Sequence, residues 1–186
     1  MPSVRTCTIM MAKFGEKGMH FEFVVIGGGI SGVCAALAAA RHGVKTALIQ
    51  DRPVLGGNAS SEIRMHICGA DRHGSVAEAR ETGIVEEIQL KNRVRNPQHS
   101  FSVQDSVLWE MALFQENLEL FLNTTVTDVF AEEGVLKSVS AYQMTTERHL
   151  QIYADYFADC TGDGTIACKA GLHPDRGAIR GVGCGV

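Results

Sequence analysis

The sequence predicts an α/β fold built on a parallel sheet, and three observations carry the prediction. Phe21 to Ile26 is an apolar run of strand length, it passes directly into Gly27-Gly28-Gly29-Ile30-Ser31-Gly32, and an alanine-rich helical pattern then continues to Arg41. A second apolar run, Val44 to Ile49, follows at once. A helix between two such runs carries the chain back to the end of the sheet it left, so the two strands lie parallel.

Each residue of the glycine turn has a physical task. Gly27 permits the tight turn, Gly29 lets backbone approach a diphosphate, and Gly32 lets helix and strand pack closely. A diphosphate would then sit on the first helical turn, at Ile30 and Ser31. Within the helix, Ala36 and Ala40 follow Gly32 at spacings of four, which sets small residues on one face, and Gly43 stands where a helix-ending glycine belongs. The end of the second strand ordinarily carries an acid that accepts hydrogen bonds from a ribose. Here Gln50 occupies that position and Asp51 follows, so the acceptor is either the Gln50 amide oxygen or the Asp51 carboxylate.

Composition narrows the function classes. The chain has 186 residues, enough for one real core and short for two domains. A net charge of -4, with basic residues scattered along the chain, removes the electrostatic reason to expect nucleic acid or an anionic membrane as partner. The longest apolar runs fall well short of the ~18 residues of a membrane span, and the first twenty residues lack the apolar core of a secretory signal. A cytoplasmic protein acting on a small molecule is the expectation. The six cysteines form neither C-x-x-C nor a zinc-finger spacing, so no metal site is expected and reduced thiols are; Cys34 reads as a small buried hydrophobe. Residues 1–18 read as an N-terminal extension, 19–171 as a dinucleotide-binding domain and 172–186 as an irregular tail.

Beyond the second strand, Arg52 to Ser61 contains Leu55-Gly56-Gly57-Asn58, and near the end of the chain stands Ala158-Asp159-Cys160-Thr161-Gly162-Asp163-Gly164. With the first glycine turn, these motifs resemble the N-terminal part of FAD-dependent oxidoreductases with the glutathione-reductase-type Rossmann domain. The stretch Asn58 to Ala70 is closer to an uncharacterised FAD-dependent oxidoreductase family and, more distantly, to fumarate-reductase-like flavoproteins. Dithiol chemistry is not expected, because Ala59 and Arg64 stand where disulfide reductases carry cysteines.

The resemblance implies FAD as cofactor and a Rossmann-like domain with an antiparallel β-meander crossover. It brings Gly57 and Asn58 near the flavin pyrophosphate, counts Arg52 among the cofactor-binding residues, and brings the backbone of Val126 to the adenine and Thr161 and Gly162 beside the first glycine turn. Asp163 is expected to meet a cofactor hydroxyl or to cap the following short helix, and the two roles are compatible. Arg64 and His66 are the catalytic candidates, Arg64 binding a carboxylate and His66 moving a proton; the simpler reading of both is structural. Such oxidoreductases continue into a substrate domain, so the chain is expected to be their cofactor-binding portion, truncated, with a substrate domain or complementary chain missing. The alternative is a dinucleotide-binding module without turnover.

The remaining segments are expected as follows. Ser75 to Val94 reads as a helix interrupted near Gly83, and Ser106 to Phe114 as a helix capped by Asp105 or Ser106, with Trp109 in packing. Leu118 to Leu122, Val126 to Phe130, Val135 to Met144 and His149 to Ala154 read as the antiparallel meander. A separate closing strand, Tyr156 to Cys160, leads into a short helix at Ile166 to Ala170.

Overall fold

The computed structural model describes residues 18–70, 75–76 and 79–171. The expected irregular tail and, apart from Gly18, the expected N-terminal extension lie outside the described residues. In chain order the elements are β1 (Met19–Ile26), α1 (Ile30–Arg41), β2 (Thr46–Ile49), α2 (Gly83–Arg95) and α3 (Phe101–Leu113). They are followed by β3 (Leu118–Phe121), β4 (Thr124–Glu132), β5 (Val135–Gln143), β6 (Arg148–Asp159) and α4 (Thr165–Lys169), and a single 3-10 turn, Gly57–Ala59, follows β2.

One six-stranded sheet runs in the order β3-β2-β1-β6-β5-β4. β1 pairs parallel with both β2 and β6, and β2 pairs parallel with β3. β4, β5 and β6 form an antiparallel meander. The order reverses at β1, since the chain leaves it toward β2 on one side and returns as β6 on the other. In sheets of this kind, ligands bind at such a switch point, beyond the carboxyl ends of the strands.

Two apolar cores sandwich the parallel strands. On one face Val25 and Leu48 meet Val33 and Leu37 of α1, Ile88 of α2 and Leu108 of α3. On the other, Val24, Ile26, Ile49 and Phe121 share a core with Val139, Ala141, Leu150 and Ile152 of the meander. Phe23 to Ile26 of β1 and Ala47 to Ile49 of β2 are apolar along consecutive residues because both faces of the sheet are covered there. Cys34 and Cys160 lie half-buried against the helical core, and burial pushes both thiols up from their ordinary range.

α1 follows the sequence pattern closely. Gly32, Val33, Ala36, Leu37 and Ala40 are its buried face. It ends at Gly43 (φ 86), where the Val44 N–H donates to Ala39 O and the Gly43 N–H to Ala40 O. That closure takes Val44 out of the strand, so β2 starts at Thr46 rather than Val44.

Several expected elements are corrected by tertiary pairing. Leu118 to Phe121 does not belong to the meander but extends the parallel half of the sheet beside β2, an arrangement that its alternating pattern, common to both kinds of pairing, could not reveal. The two strands expected on either side of Asp155 are one, because β6 pairs with β5 over its first half and with β1 over its second. α2 begins only at Gly83, whose φ of 63 opens the helix instead of interrupting it, and the described residues from 75 to 82 are not helical. α3 starts five residues earlier than expected, at Phe101 with Ser100 at the N-cap, because its buried face carries the polar Gln104 and Asp105 and so hid its apolar period. Trp109 is 42% exposed and meets Phe114 edge-on rather than packing in the core.

Candidate functional site

The carboxyl ends of β1, β2 and β6 open onto a cavity of about 970 Å³, at the upper end of the roughly 300–1,000 Å³ found for ligand pockets. Ile26, Ile49 and Cys160 form its floor at the switch point. Four backbone segments wall it: the glycine turn after β1, the loop after β2, the start of β4 and the turn after β6.

Each glycine of the first turn has a separate geometric reason. A Cβ at Gly27 would lie 2.3 Å from Cys160 O, and its φ of 105 is one that L side chains avoid. A Cβ at Gly32 would lie 1.9 Å from Gly27 O, so α1 approaches its own turn as closely as it does only without a side chain there. At Gly29 a Cβ would meet nothing within 4 Å, and the space it would enter is the cavity. Gly29 is the N-cap of α1, offers no side-chain cap, and no acid stands in the first turn. The N–H groups of that turn lack intrahelical acceptors by helix geometry, and the positive end of the helix dipole faces the same way. Open space, backbone donors and a positive field suit a diphosphate.

The second glycine segment crosses this turn directly. The Gly56 N–H donates to Gly28 O at 2.8 Å, Gly29 and Gly56 form an isolated parallel bridge, and a Cβ at Gly57 would sit 3.2 Å from Gly29 Cα. Gly57 and Asn58 thereby line the cavity beside Gly29, Ile30 and Ser31.

At the β2 end, Gln50, Asp51 and Arg52 line the cavity. The Gln50 side chain is buried and engaged at both ends: its Oε1 accepts the Gly28 N–H at 2.7 Å and its Nε2 donates to Val54 O at 3.3 Å. Arg52 forms a forked ion pair with Glu62, which holds the Glu62 carboxyl below its ordinary range and spans the loop from its start to its middle. Thr124, Thr125 and Val126 bring the start of β4 to the same end. Sequence reasoning missed the two threonines. A polar pair opening the strand that follows β3 is the signal that was present.

Beyond β6, Thr161, Gly162 and Asp163 line the cavity. The capping acid here is Asp159 and not Asp163. Asp159 Oδ2 accepts the N–H groups of Ile166 and Ala167, both at 2.9 Å, while Oδ1 accepts the Thr161 hydroxyl at 2.7 Å and its N–H at 3.1 Å. Partial burial alone would raise the Asp159 pKa, but these bonds outweigh it and hold the carboxyl below its ordinary range. Asp163 is left exposed toward the cavity.

The two catalytic candidates part company. His66 lines the cavity, its ring 5.3 Å from that of Phe101. Arg64 is exposed and is not among the lining residues; its Nε donates to Ser61 O at 3.0 Å. Gly32 is likewise absent from the lining and acts through packing. No group of His, Cys, Asp and Glu able to hold a metal occurs among the described residues, and no helix among them is long and apolar enough to cross a membrane.

Fold and site together define a dinucleotide-binding α/β domain whose cavity lies at the switch point. The chain belongs to the FAD dependent oxidoreductase family, whose model it matches over residues 22–180. FAD is therefore its family's cofactor, and the residues around Gly29 fit the diphosphate of such a molecule.

Solved structures agree on the fold. Glycerol-3-phosphate dehydrogenase from Bacillus halodurans, complexed with FAD, superimposes with a TM-score of 0.54 at 17% identity, over 81% of this chain and 36% of that one. The p-nitrophenol 4-monooxygenase PnpA from Pseudomonas putida gives 0.52 at 16% identity, over 83% of this chain and 43% of the other. A 39-residue stretch is 51% identical to the soluble pyridine nucleotide transhydrogenase of Marinobacter nauticus, covering 21% of this chain and 8% of that protein. The chain thus spans less than half the length of each of these relatives.

Proposed function

We propose that this chain is the FAD-binding portion of an oxidoreductase that moves electrons between a small organic substrate and its flavin. The observation that carries the reading is Gly29: an uncapped helix N-terminus opens onto a large cavity through a position where a side chain would meet only empty space. Bound flavin supplies the electron transfer itself.

The chain's own residues bind and orient. Gly29, Ile30 and Ser31 receive the diphosphate, with Gly57 and Asn58 crossing beside them. Asp51 and the second lone pair of Gln50 Oε1 are the ribose acceptors, Arg52 and the Val126 backbone border the adenine end, and Thr161, Gly162 and Asp163 take the hydroxyl-rich middle of the cofactor. His66 is a cavity-wall side chain whose imidazole can hold or move a proton, while Arg64 secures its loop through Ser61. The proposal places the protein in the cytoplasm, because its six cysteines follow no spacing of a disulfide framework.

The test is isothermal titration of the purified chain with FAD and, separately, with NAD, alongside its visible spectrum. FAD binding with flavin absorbance and weaker NAD binding is expected. NAD binding at least as tight as FAD overturns the assignment. Bleaching of the flavin band by candidate substrates then separates turnover from binding alone.

A further inference from the structure

Helix α3 carries polar side chains where a helix of its burial should be apolar. Gln104 and Asp105 are each only 8% exposed, on the same face as the fully buried Leu108. Buried amides and carboxylates are costly unless their hydrogen bonds are satisfied, so their partners reveal what they do. Both partners lie on the loop after β2. Gln104 Nε2 donates to Ala59 O at 2.6 Å, and Asp105 Oδ1 accepts the Ser61 N–H at 3.0 Å. The two bonds bracket Ser60, itself 1% exposed.

Phe101, Gln104, Asp105 and Leu108 are spaced i, i+3, i+4 and i+7, one helix face. Along that face the loop is held at successive points: Phe101 packs on His66, Asp105 holds Ser61, Gln104 holds Ala59, and Leu108 lies under Gly56. The same loop presents Gly57, Asn58 and His66 to the cavity. Behind α3 the grip continues into α2, because Asn92 Nδ2 donates to Gln104 Oε1 at 3.1 Å. Asn96 fixes the start of α3, accepting the Ser100 N–H and donating to Ser100 O, both at 2.7 Å.

We infer that Gln104 and Asp105 are positioning residues that set the cavity-facing loop from Gly57 to His66 in its cofactor-binding shape. This rests on the FAD reading above. Without the Gln104 donor and the Asp105 acceptor, Leu108 and Phe101 still anchor the two ends of the loop, but its middle loses both hydrogen bonds to α3, and Ala59 O and the Ser61 N–H lose their partners there.

The experiment compares wild type with Gln104→Leu, Asp105→Leu and the conservative Asp105→Asn, which keeps an oxygen acceptor for the Ser61 N–H. Ile152→Val, in the meander core, controls for lost stability. Amide hydrogen exchange in the ligand-free chain reads the loop directly, and FAD titration with visible circular dichroism of the bound flavin reads the site. The inference expects exchange at Ser61 and Glu62 to rise about tenfold or more in both leucine variants, with FAD affinity falling about tenfold or more. It expects Asp105→Asn to stay near wild type and Ile152→Val to leave affinity and the flavin signal unchanged.

Unchanged loop exchange in the leucine variants overturns it, as does an affinity loss no larger than that of Ile152→Val at matched loss of melting temperature. If a leucine variant does not fold, failure of the remaining one to change loop exchange or affinity still overturns it. FAD uptake by wild type and equal uptake by the variants overturns this inference alone, whereas a wild type that takes up no FAD overturns the cofactor reading and this one with it.

Discussion

Gly28 and Gln50, 22 residues apart, are joined by a 2.7 Å hydrogen bond in which the Gly28 N–H donates to Gln50 Oε1. The bond ties the glycine turn after β1 to the end of β2, and Nε2 of the same amide holds Val54 O at 3.3 Å. The side chain where an acid is usual thus spends an acceptor and a donor on the loops that frame the cavity. An acid there could make the first bond but not the second.

Gln50→Leu is expected to destabilise the ligand-free chain by about 1–3 kcal/mol, the cost of leaving a buried N–H unpaired. Gln50→Glu keeps an acceptor for Gly28 but buries a carboxylate and sets its second oxygen against Val54 O, so it too is expected to lose stability. Urea unfolding midpoints rank the two; equal stability of Gln50→Leu and wild type contradicts the assigned bond.

Gly29→Val is expected to fold normally yet lose FAD affinity by about a hundredfold or more, because its side chain enters space the diphosphate needs. Gly32→Val has the opposite signature, a folding defect, since its Cβ would overlap Gly27 O at 1.9 Å. Circular dichroism melts and FAD titration separate the two outcomes.

Asp159 makes stability acid-sensitive. Its carboxyl titrates below its ordinary range in the folded chain, so the unfolded chain takes up the proton first as pH falls. The stabilisation is complete above the unfolded-state pKa and is lost as pH drops through the folded-state value. Asp159→Asn should flatten this acid limb, and Asp159→Ala should lower stability at neutral pH by about 0.5–2 kcal/mol, the range for losing a helix cap. Melting temperatures measured from neutral pH downward check both; an unchanged acid limb in Asp159→Asn counts against the assigned contacts.

Leu37→Ala, at the centre of the helix-side core and fully buried, is expected to cost about 2–5 kcal/mol. Denaturant unfolding measures it. A loss under about 1 kcal/mol would mean that α1 packs more loosely than its glycine and alanine face implies.

The first strand, the glycine turn, α1 and the start of the site were legible in the residues alone because every contact that defines them is local or follows from a missing side chain. Gly27, Gly32, Ala36, Ala40 and Gly43 state where backbone must turn, approach or stop, whatever the rest of the chain does. The placement of β3 depends instead on which strand it meets, and alternation in Leu118–Phe121 is equally good beside a parallel or an antiparallel neighbour. The bond from the Gly28 N–H to Gln50 was invisible for a related reason: a partner 22 residues away is set by three-dimensional proximity. So too with Gln104 and Asp105, whose partners stand 45 and 44 residues away. Backbone conformation is written into single residues, while the partner of a polar side chain exists only once the sheet and helices bring distant segments within hydrogen-bonding reach.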